Sequence, residues 1–465
     1  GETYEGRPLN ILVISSEENI ANLENIRINN LQKAGMIPGE PDKNGKIIVW
    51  LSYNVHGDEA SSTEAAMATV YKLLSVDDQV GEWLENTIVI IDPCINPDGR
   101  DRYVNWYKEN KSNILLTNPI EAAHVQEWPR ARSNHYLFDL NRDWTWLSQI
   151  ETRHRIKLYN EWLPQIHVDF HEQSYNSPYY FAPAAQPYHV LITQWQKDFQ
   201  VEIGKNHAKY FDENNWLYFT KERFDLFYPG YGDTYPTFNG AIGMTYEQAG
   251  GGRAGLGIIT ETGDTLTLLD RLTHHFTTSI STIEVSSNNA EDLETNYINF
   301  FSTAEKPVSD GFNTYIVKSR HGNKKLRKLI ELLDYHRISY GQLNNSKSTR
   351  GFDYHLNRNV PVSIESSDLI IPVQQAKSTL LRVLFEPGST LVDSLTYDIT
   401  SWSIPFAFGL ETYATDQIIK FEKEGFVIRP VKELDPVERV YGYAFTRKAV
   451  SDMRALSELL IEGLN

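Results

Sequence analysis

Short apolar runs alternate with helix-spaced stretches over the first 285 residues. Leu9–Ser15, Lys46–Ser52, Thr87–Ile91 and Gln165–His171 read as strands, and Tyr179–Ala182 and Gly243–Glu247 as further short ones. Between them Glu59–Leu74 is expected to be helical, with apolar spacing at Ala65, Met67, Val70, Tyr71 and Leu74. Arg153–Trp162 reads as another helix and Asp264–Val285 as a helix or helix pair. Residues from Asn96 to about Asn141 are polar and aromatic with little periodicity, and a segment of that length without obvious structure is usually functional. The alternation predicts an α/β fold, a mixed and mostly parallel sheet flanked by helices.

The character changes near residues 286–311, where Ser286-Ser287-Asn288-Asn289 and Pro307–Gly311 are turn-rich. Thr314–Val317, Val360–Ile364, Leu369–Pro372 and Leu380–Phe385 then read as strands, with one clear helix at Lys324–Tyr335. This predicts a domain at 1–290, a smaller β-rich α+β domain at 305–430, and a segment 431–465. In that last segment Val440–Leu464 reads as a short strand and an amphipathic helix, the start of a truncated further domain. No internal repeat is visible.

A chain of 465 residues exceeds one ordinary core, in keeping with more than one domain. Its apolar fraction of 41% suffices for substantial cores. The formal net charge of -17 argues against a nucleic acid or an anionic membrane as partner. It leaves a small or peptide substrate open, because a local pocket can oppose the global sign. The single cysteine, Cys94, excludes an intrachain disulfide and a cysteine-rich zinc module. It follows the apolar run Ile88–Ile91 and reads as a small packed residue rather than a nucleophile. No run of 18 apolar residues predicts a transmembrane helix. The chain opens on Gly1 rather than methionine, as after trimming, so the lack of a visible signal peptide says little about location.

Candidate chemistry centres on His56-Gly57-Asp58-Glu59 and His171-Glu172. A strand end can aim the His56 imidazole, and the first turn of the following helix can aim the Glu59 carboxylate at the same point. One more histidine completes two imidazoles and one carboxylate with an open fourth position, the donor set of a catalytic zinc. On the strand Gln165–His171, His167, Asp169 and His171 share one face, and either histidine could serve. Ligand crevices lie beyond the carboxyl ends of strands in open α/β sheets, which favours His171. Asp169 could orient a ligand from behind or satisfy a buried donor.

Five motifs occur in a telling order: His56-x-x-Glu59, Asn96-Pro97-Asp98-Gly99, Asp139-Leu140-Asn141-Arg142, His171 and Glu247. Over roughly residues 1–285 the chain thereby resembles the M14 family of zinc metallocarboxypeptidases, the carboxypeptidase A type. Its second domain resembles the β-rich extension that follows the peptidase in large bacterial members, on a pattern such as Leu395-Thr396-Tyr397-Asp398 and Ser403–Gly409. The resemblance implies that His56, Glu59 and His171 hold one zinc ion per chain. It implies that Asn141 and Arg142 grip a substrate's terminal carboxylate, a task suited to the planar guanidinium fork. Arg132, nine residues before Asn141, would polarise the scissile carbonyl, with Arg130 as runner-up. Glu247 would take a proton from the attacking water and pass it to the leaving amine. A mobile tyrosine is expected about 20 residues before it; Tyr228 is preferred over Tyr231 and Tyr235. The position setting side-chain preference falls near Gly232, beside Asp233, and implies an open pocket. Asp98 and Gly99 are expected to shape a loop near the site. The C-terminal extension would dock onto or shield the cleft, and family habit points to secretion or the periplasm.

Three readings follow. The first is a zinc carboxypeptidase that removes a C-terminal residue from a peptide. A related amidase or deacylase would use the same groups on an N-acyl amino acid or a peptidoglycan stem peptide. A non-cutting peptide-binding relative would lack a ligand or the glutamate, and here all are present. Oligomeric state is not legible.

Overall fold

The computed structural model describes residues 1–43, 46–309, 311–319, 323–391, 393, 396–397, 400–427 and 450–463. They form two units, residues 1–304 with 388–402, and residues 305–387 with 403–465. Residues 388–402, which the sequence places inside the second domain, thus belong to the first unit. The strand expected at the start of the 440–464 segment lies outside the described residues; the helix after it is present at Val450–Ile461.

The first unit is built on a seven-stranded sheet in the order Leu12–Ile14, Thr87–Asp92, Ile47–Tyr53, Ile166–Gln173, Ile242–Ala249, Tyr179–Tyr180 and Tyr218–Phe219. The four long central strands are parallel to one another, and Leu12–Ile14 and Tyr180 pair antiparallel at either side. They are buried along their length and read as near-continuous apolar runs, as strands covered on both faces do. Alternation sends Val49, Leu51, Tyr53, Val168, Phe170, Met244 and Tyr246 to one face, where they pack with Ala66, Val70, Ile203 and Ile283 of the covering helices. The opposite face carries Trp50 and His167, packed with Trp144 and Tyr159.

One difference from expectation bears on the site. Asn96 and Pro97 begin a helix, Pro97–Asn110, in a region expected to lack periodic structure. Asn96 caps it by accepting the Gly99 N–H at 2.9 Å, and proline suits a first helical position because that N–H would be unpaired anyway. Helices Leu23–Lys33 and Gln194–Glu213 complete the unit in stretches for which no element was expected.

The second unit holds a separate seven-stranded antiparallel sheet, with Thr314–Val317 between Thr412–Thr415 and Leu369–Pro372. Its core gathers Ile316, Leu343, Val362, Ile364 and Ile370. Leu380–Phe385, expected as a strand, is part of the helix Ser378–Phe385. A short, mostly apolar run looks alike in either conformation when read locally. Among the described residues no helix is long and apolar enough to cross a membrane.

Candidate metal centre and cleft

Strand Ile47–Tyr53 ends at Asn54, whose positive φ of 59° turns the chain sharply. The Asn54 amide donates to the carbonyls of His56 and Glu59, both at 2.9 Å, and fixes the loop that presents these two side chains. Gly57 is required by close approach: a Cβ there would lie 2.1 Å from the backbone of Gly99. Glu59 sits just before the helix Ser61–Leu73 rather than in its first turn. Asn96 closes the arrangement from the other side, donating to the carbonyls of Val55 and Arg132. The Asn-Pro-Asp-Gly motif therefore ties the His56 loop, a helix start and the Arg132 loop together, and Asp98 accepts from Thr3 and Arg7.

His56, Glu59 and His171 are all buried and converge. His56 Nδ1 lies 2.8 Å from Glu59 Oε1, His171 Nδ1 lies 3.1 Å from Glu59 Oε2, and the two Nδ1 atoms are 3.2 Å apart. A tetrahedral zinc with bonds of about 2.0–2.1 Å holds its ligand atoms about 3.3 Å apart, so donor types and spacing both fit that ion. Burial raises the Glu59 carboxyl's pKa, but the two histidines outweigh it and hold the group well below the usual range. The far nitrogens have partners too. His56 Nε2 lies 3.0 Å from Asp139 Oδ1, and His171 Nε2 lies 2.9 Å from Asp169 Oδ2. A carboxylate behind each imidazole leaves Nδ1 as the free lone pair facing the centre. His167 lies deeper in the strand, 3.1 Å from Ser52 Oγ, away from the cluster.

Sheet register delivers the next group. His171 and Glu247 are direct partners on adjacent parallel strands, so their side chains leave the sheet side by side on one face. Glu247 is buried; desolvation, opposed by His171 and aided by Glu59, pushes its carboxyl up to about 8. Arg132 Nη1 reaches Glu59 Oε1 at 3.3 Å, and its other nitrogens donate to Asp139 Oδ2. Arg142 lies over the Tyr231 ring, 4.6 Å from its centroid. A cavity of about 240 Å³ is lined by the three ligands together with Arg132, Asn141, Arg142 and Glu247. It thus joins a metal-type donor set, further buried carboxyls and the guanidinium groups of Arg132, Arg142 and Arg223.

The Peptidase_M14 family, zinc carboxypeptidase, matches residues 1–201. Glu247 lies beyond that match. No curated protein matches the chain. Among solved structures it is similar to a metallo-carboxypeptidase from Burkholderia cenocepacia, with 14% identity, a TM-score of 0.43, and 62% of this chain and 63% of that one covered. It is also similar to a Pseudomonas aeruginosa metallo-carboxypeptidase in complex with (2-guanidinoethylmercapto)succinic acid, with 12% identity, a TM-score of 0.41, and 63% and 64% covered. A third is carboxypeptidase A from Helicoverpa armigera, with 16% identity, a TM-score of 0.37, and 66% and 68% covered. The chain spans just under two thirds of the length of the first two.

The remaining expected residues of the first unit fall as follows. Asn141 is buried, with Oδ1 accepting the Gly232 N–H at 2.8 Å and Nδ2 lying 3.0 Å from His171 Nε2. Tyr228 is buried outside the cavity lining, its hydroxyl accepting from Trp146 Nε1 and donating to the Arg142 carbonyl. Tyr231 lines the cavity in its stead. Gly232 does not open the pocket: a Cβ there would lie 2.1 Å from Asp169 Oδ2, so the glycine makes room for the carboxylate behind His171. Asp233 does line the cavity. Arg130 is exposed and outside the lining.

Sequence reasoning assigned no task to Glu172, although its place directly after His171 was visible. Its backbone N–H donates to Glu59 Oε2 at 2.9 Å. Its side chain accepts from the Ser61 N–H at 2.8 Å, at the start of the helix, and pairs with buried Arg271 at 3.1 Å. One residue therefore positions a ligand with its main chain and anchors the next helix with its side chain. Phe224 and Asp225 also line the cavity without having been singled out, and Tyr397, quoted earlier only as part of the extension's pattern, joins them; only the fold brings the three there.

Proposed function

We propose that this chain is a zinc-dependent carboxypeptidase that hydrolyses the C-terminal peptide bond of peptides, with one zinc ion per chain held by His56, Glu59 and His171. The observation that carries this reading is the strand register that sets Glu247 beside His171, in one cavity with Arg132 and Arg142. Zinc bound there supplies Lewis acidity toward a carbonyl oxygen and makes water acidic enough to be deprotonated near neutral pH.

The chain's own residues account for the rest. Arg142 offers a planar cation for a terminal carboxylate, with Asn141 beside it. Arg132, at the rim of the ligand cluster, is positioned to stabilise negative charge that develops on the scissile carbonyl oxygen. Glu247 takes the proton from the attacking water and returns it to the leaving amine. Its burial beside His171 favours a carboxyl that can both take up and return a proton. Asp139 and Asp169 keep the two imidazoles oriented.

Metal content of the purified protein and hydrolysis of blocked dipeptides carrying every C-terminal residue, with and without chelator, test the reading. Glu247→Gln is expected to retain zinc and to lose about 10²-fold or more in kcat. Undiminished hydrolysis in that variant would remove Glu247 as the base. Chelator-insensitive hydrolysis would remove the metal.

A further inference from the structure

Residues 388–402 follow most of the second unit in the chain yet belong to the first. Within the first unit this segment places Tyr397 in the lining of the metal cavity, with Arg142, Tyr231 and Glu247. Three contacts fix it there. Its backbone N–H donates to Asp225 Oδ2 at 2.6 Å, and its ring lies 5.2 Å from that of Phe224 and 6.4 Å from that of Tyr231. Trp402 holds the same segment further on, with its ring 5.1 Å from Phe227 and 6.1 Å from Tyr228.

The Tyr397 side chain is committed at its base and free at its tip. The residue is 49% exposed, and among the described residues nothing hydrogen-bonds its hydroxyl. Burial, and next the nearby Glu247 carboxyl, raise the phenol's pKa, so it stays a neutral donor at working pH; Arg142, Arg132 and His171 act on it from the same cleft. Tyr228, by contrast, has its hydroxyl occupied by Trp146 and the Arg142 carbonyl. Tyr397 and Arg223 also line a second cavity, bordered by Lys197, Asp198, Lys221 and Glu222. Tyr397 therefore stands as a partition between the metal cavity and further space.

We propose that Tyr397 is a substrate-positioning residue: its hydroxyl hydrogen-bonds the terminal residue of a peptide whose carboxylate is gripped by Arg142, and its ring limits the size of that residue's side chain. The inference rests on the carboxypeptidase reading and adds a wall of the cleft supplied from far along the chain.

The test uses the full chain loaded with zinc. Kinetics on the blocked dipeptide panel are measured for wild type, Tyr397→Phe and Tyr397→Ala, and dipeptide binding is measured by calorimetry in the Glu247→Gln background with and without Tyr397→Phe. Tyr397→Phe is expected to raise KM about five- to tenfold, as for loss of one hydrogen bond, and to weaken binding by the same factor with Tm unchanged. Tyr397→Ala is expected in addition to shift preference toward bulkier C-terminal residues. KM, binding and preference within about twofold of wild type in both variants would overturn the role of Tyr397 and leave the carboxypeptidase reading standing. A wild type that neither binds nor cleaves any of the panel would overturn both.

Discussion

Glu172 and Arg271 form a buried ion pair at 3.1 Å, directly beneath the ligand cluster. Arg271 is 1% exposed, so removing its partner strands a cation in a low-dielectric interior. Glu172→Gln is expected to destabilise the first unit by about 3–5 kcal/mol. Urea unfolding of the zinc-free protein measures this. A loss below about 1 kcal/mol would mean that the pair is dispensable.

Asp139 serves two cationic or donor groups at once, His56 through one oxygen and Arg132 through the other. Replacing it with asparagine removes the negative charge and leaves one acceptor oxygen for His56 and Arg132 together, with an NH2 donor in place of the other. Asp139→Asn is expected to weaken zinc affinity about 10- to 100-fold, read by competition with a chromogenic chelator. Equal affinity in wild type and variant would show that the His56 loop orients the ring unaided.

Arg142 is held by the Tyr231 ring as well as by charge. Lysine keeps the charge but loses the planar fork and the stacking. Arg142→Lys is expected to raise KM for peptides at least about tenfold, with a smaller effect on amidated peptides that lack the terminal carboxylate. If both substrate types suffer alike, Arg142 does not read that carboxylate.

Asp92 ends the strand Thr87–Asp92 in a buried setting. Burial, opposed by Arg155 and aided by Asp169, pushes its carboxyl from an ordinary value of 3.8 to about 7. Between these values the folded chain holds a proton that the unfolded chain releases. This contribution to stability is complete below about pH 4, falls as pH rises toward 7, and is constant above. Its size is on the order of 4 kcal/mol. Asp92→Asn is expected to flatten this part of the pH profile, measured as Tm of the zinc-free protein between pH 4 and 8. An unchanged slope would assign the dependence to other groups.

The convergence of His56 and Glu59 was legible because its signals are local: their spacing and the apolar strand before them belong to one short stretch of backbone. Asn141 and Arg142 were reached only through the resemblance that the Asp-Leu-Asn-Arg run carries. The helix start at Asn96 was present in the sequence as a cap followed by proline, but the same four residues also spell a turn. Leu380–Phe385 offered no periodicity with which to choose between strand and helix. Gly232 was misleading for a different reason: a missing side chain reads as space, whereas here Asp169 fills it. Tyr228 and Tyr231 have equal standing in an aromatic-rich stretch, and only packing decides which one turns into the cleft.

By itself the amino-acid sequence determined the ligand types, their order, the parallel α/β framework and the presence of a β-rich second unit, because side-chain chemistry and hydrophobic period are written residue by residue. The tertiary structure alone decided that Glu247 stands beside His171, that Glu172 holds Glu59 with its main chain while its side chain pairs with Arg271, and that Tyr397 reaches the cavity. Those relations depend on strand register and on contacts across large sequence separations, which follow from the packing of the whole core and leave no mark in any local window.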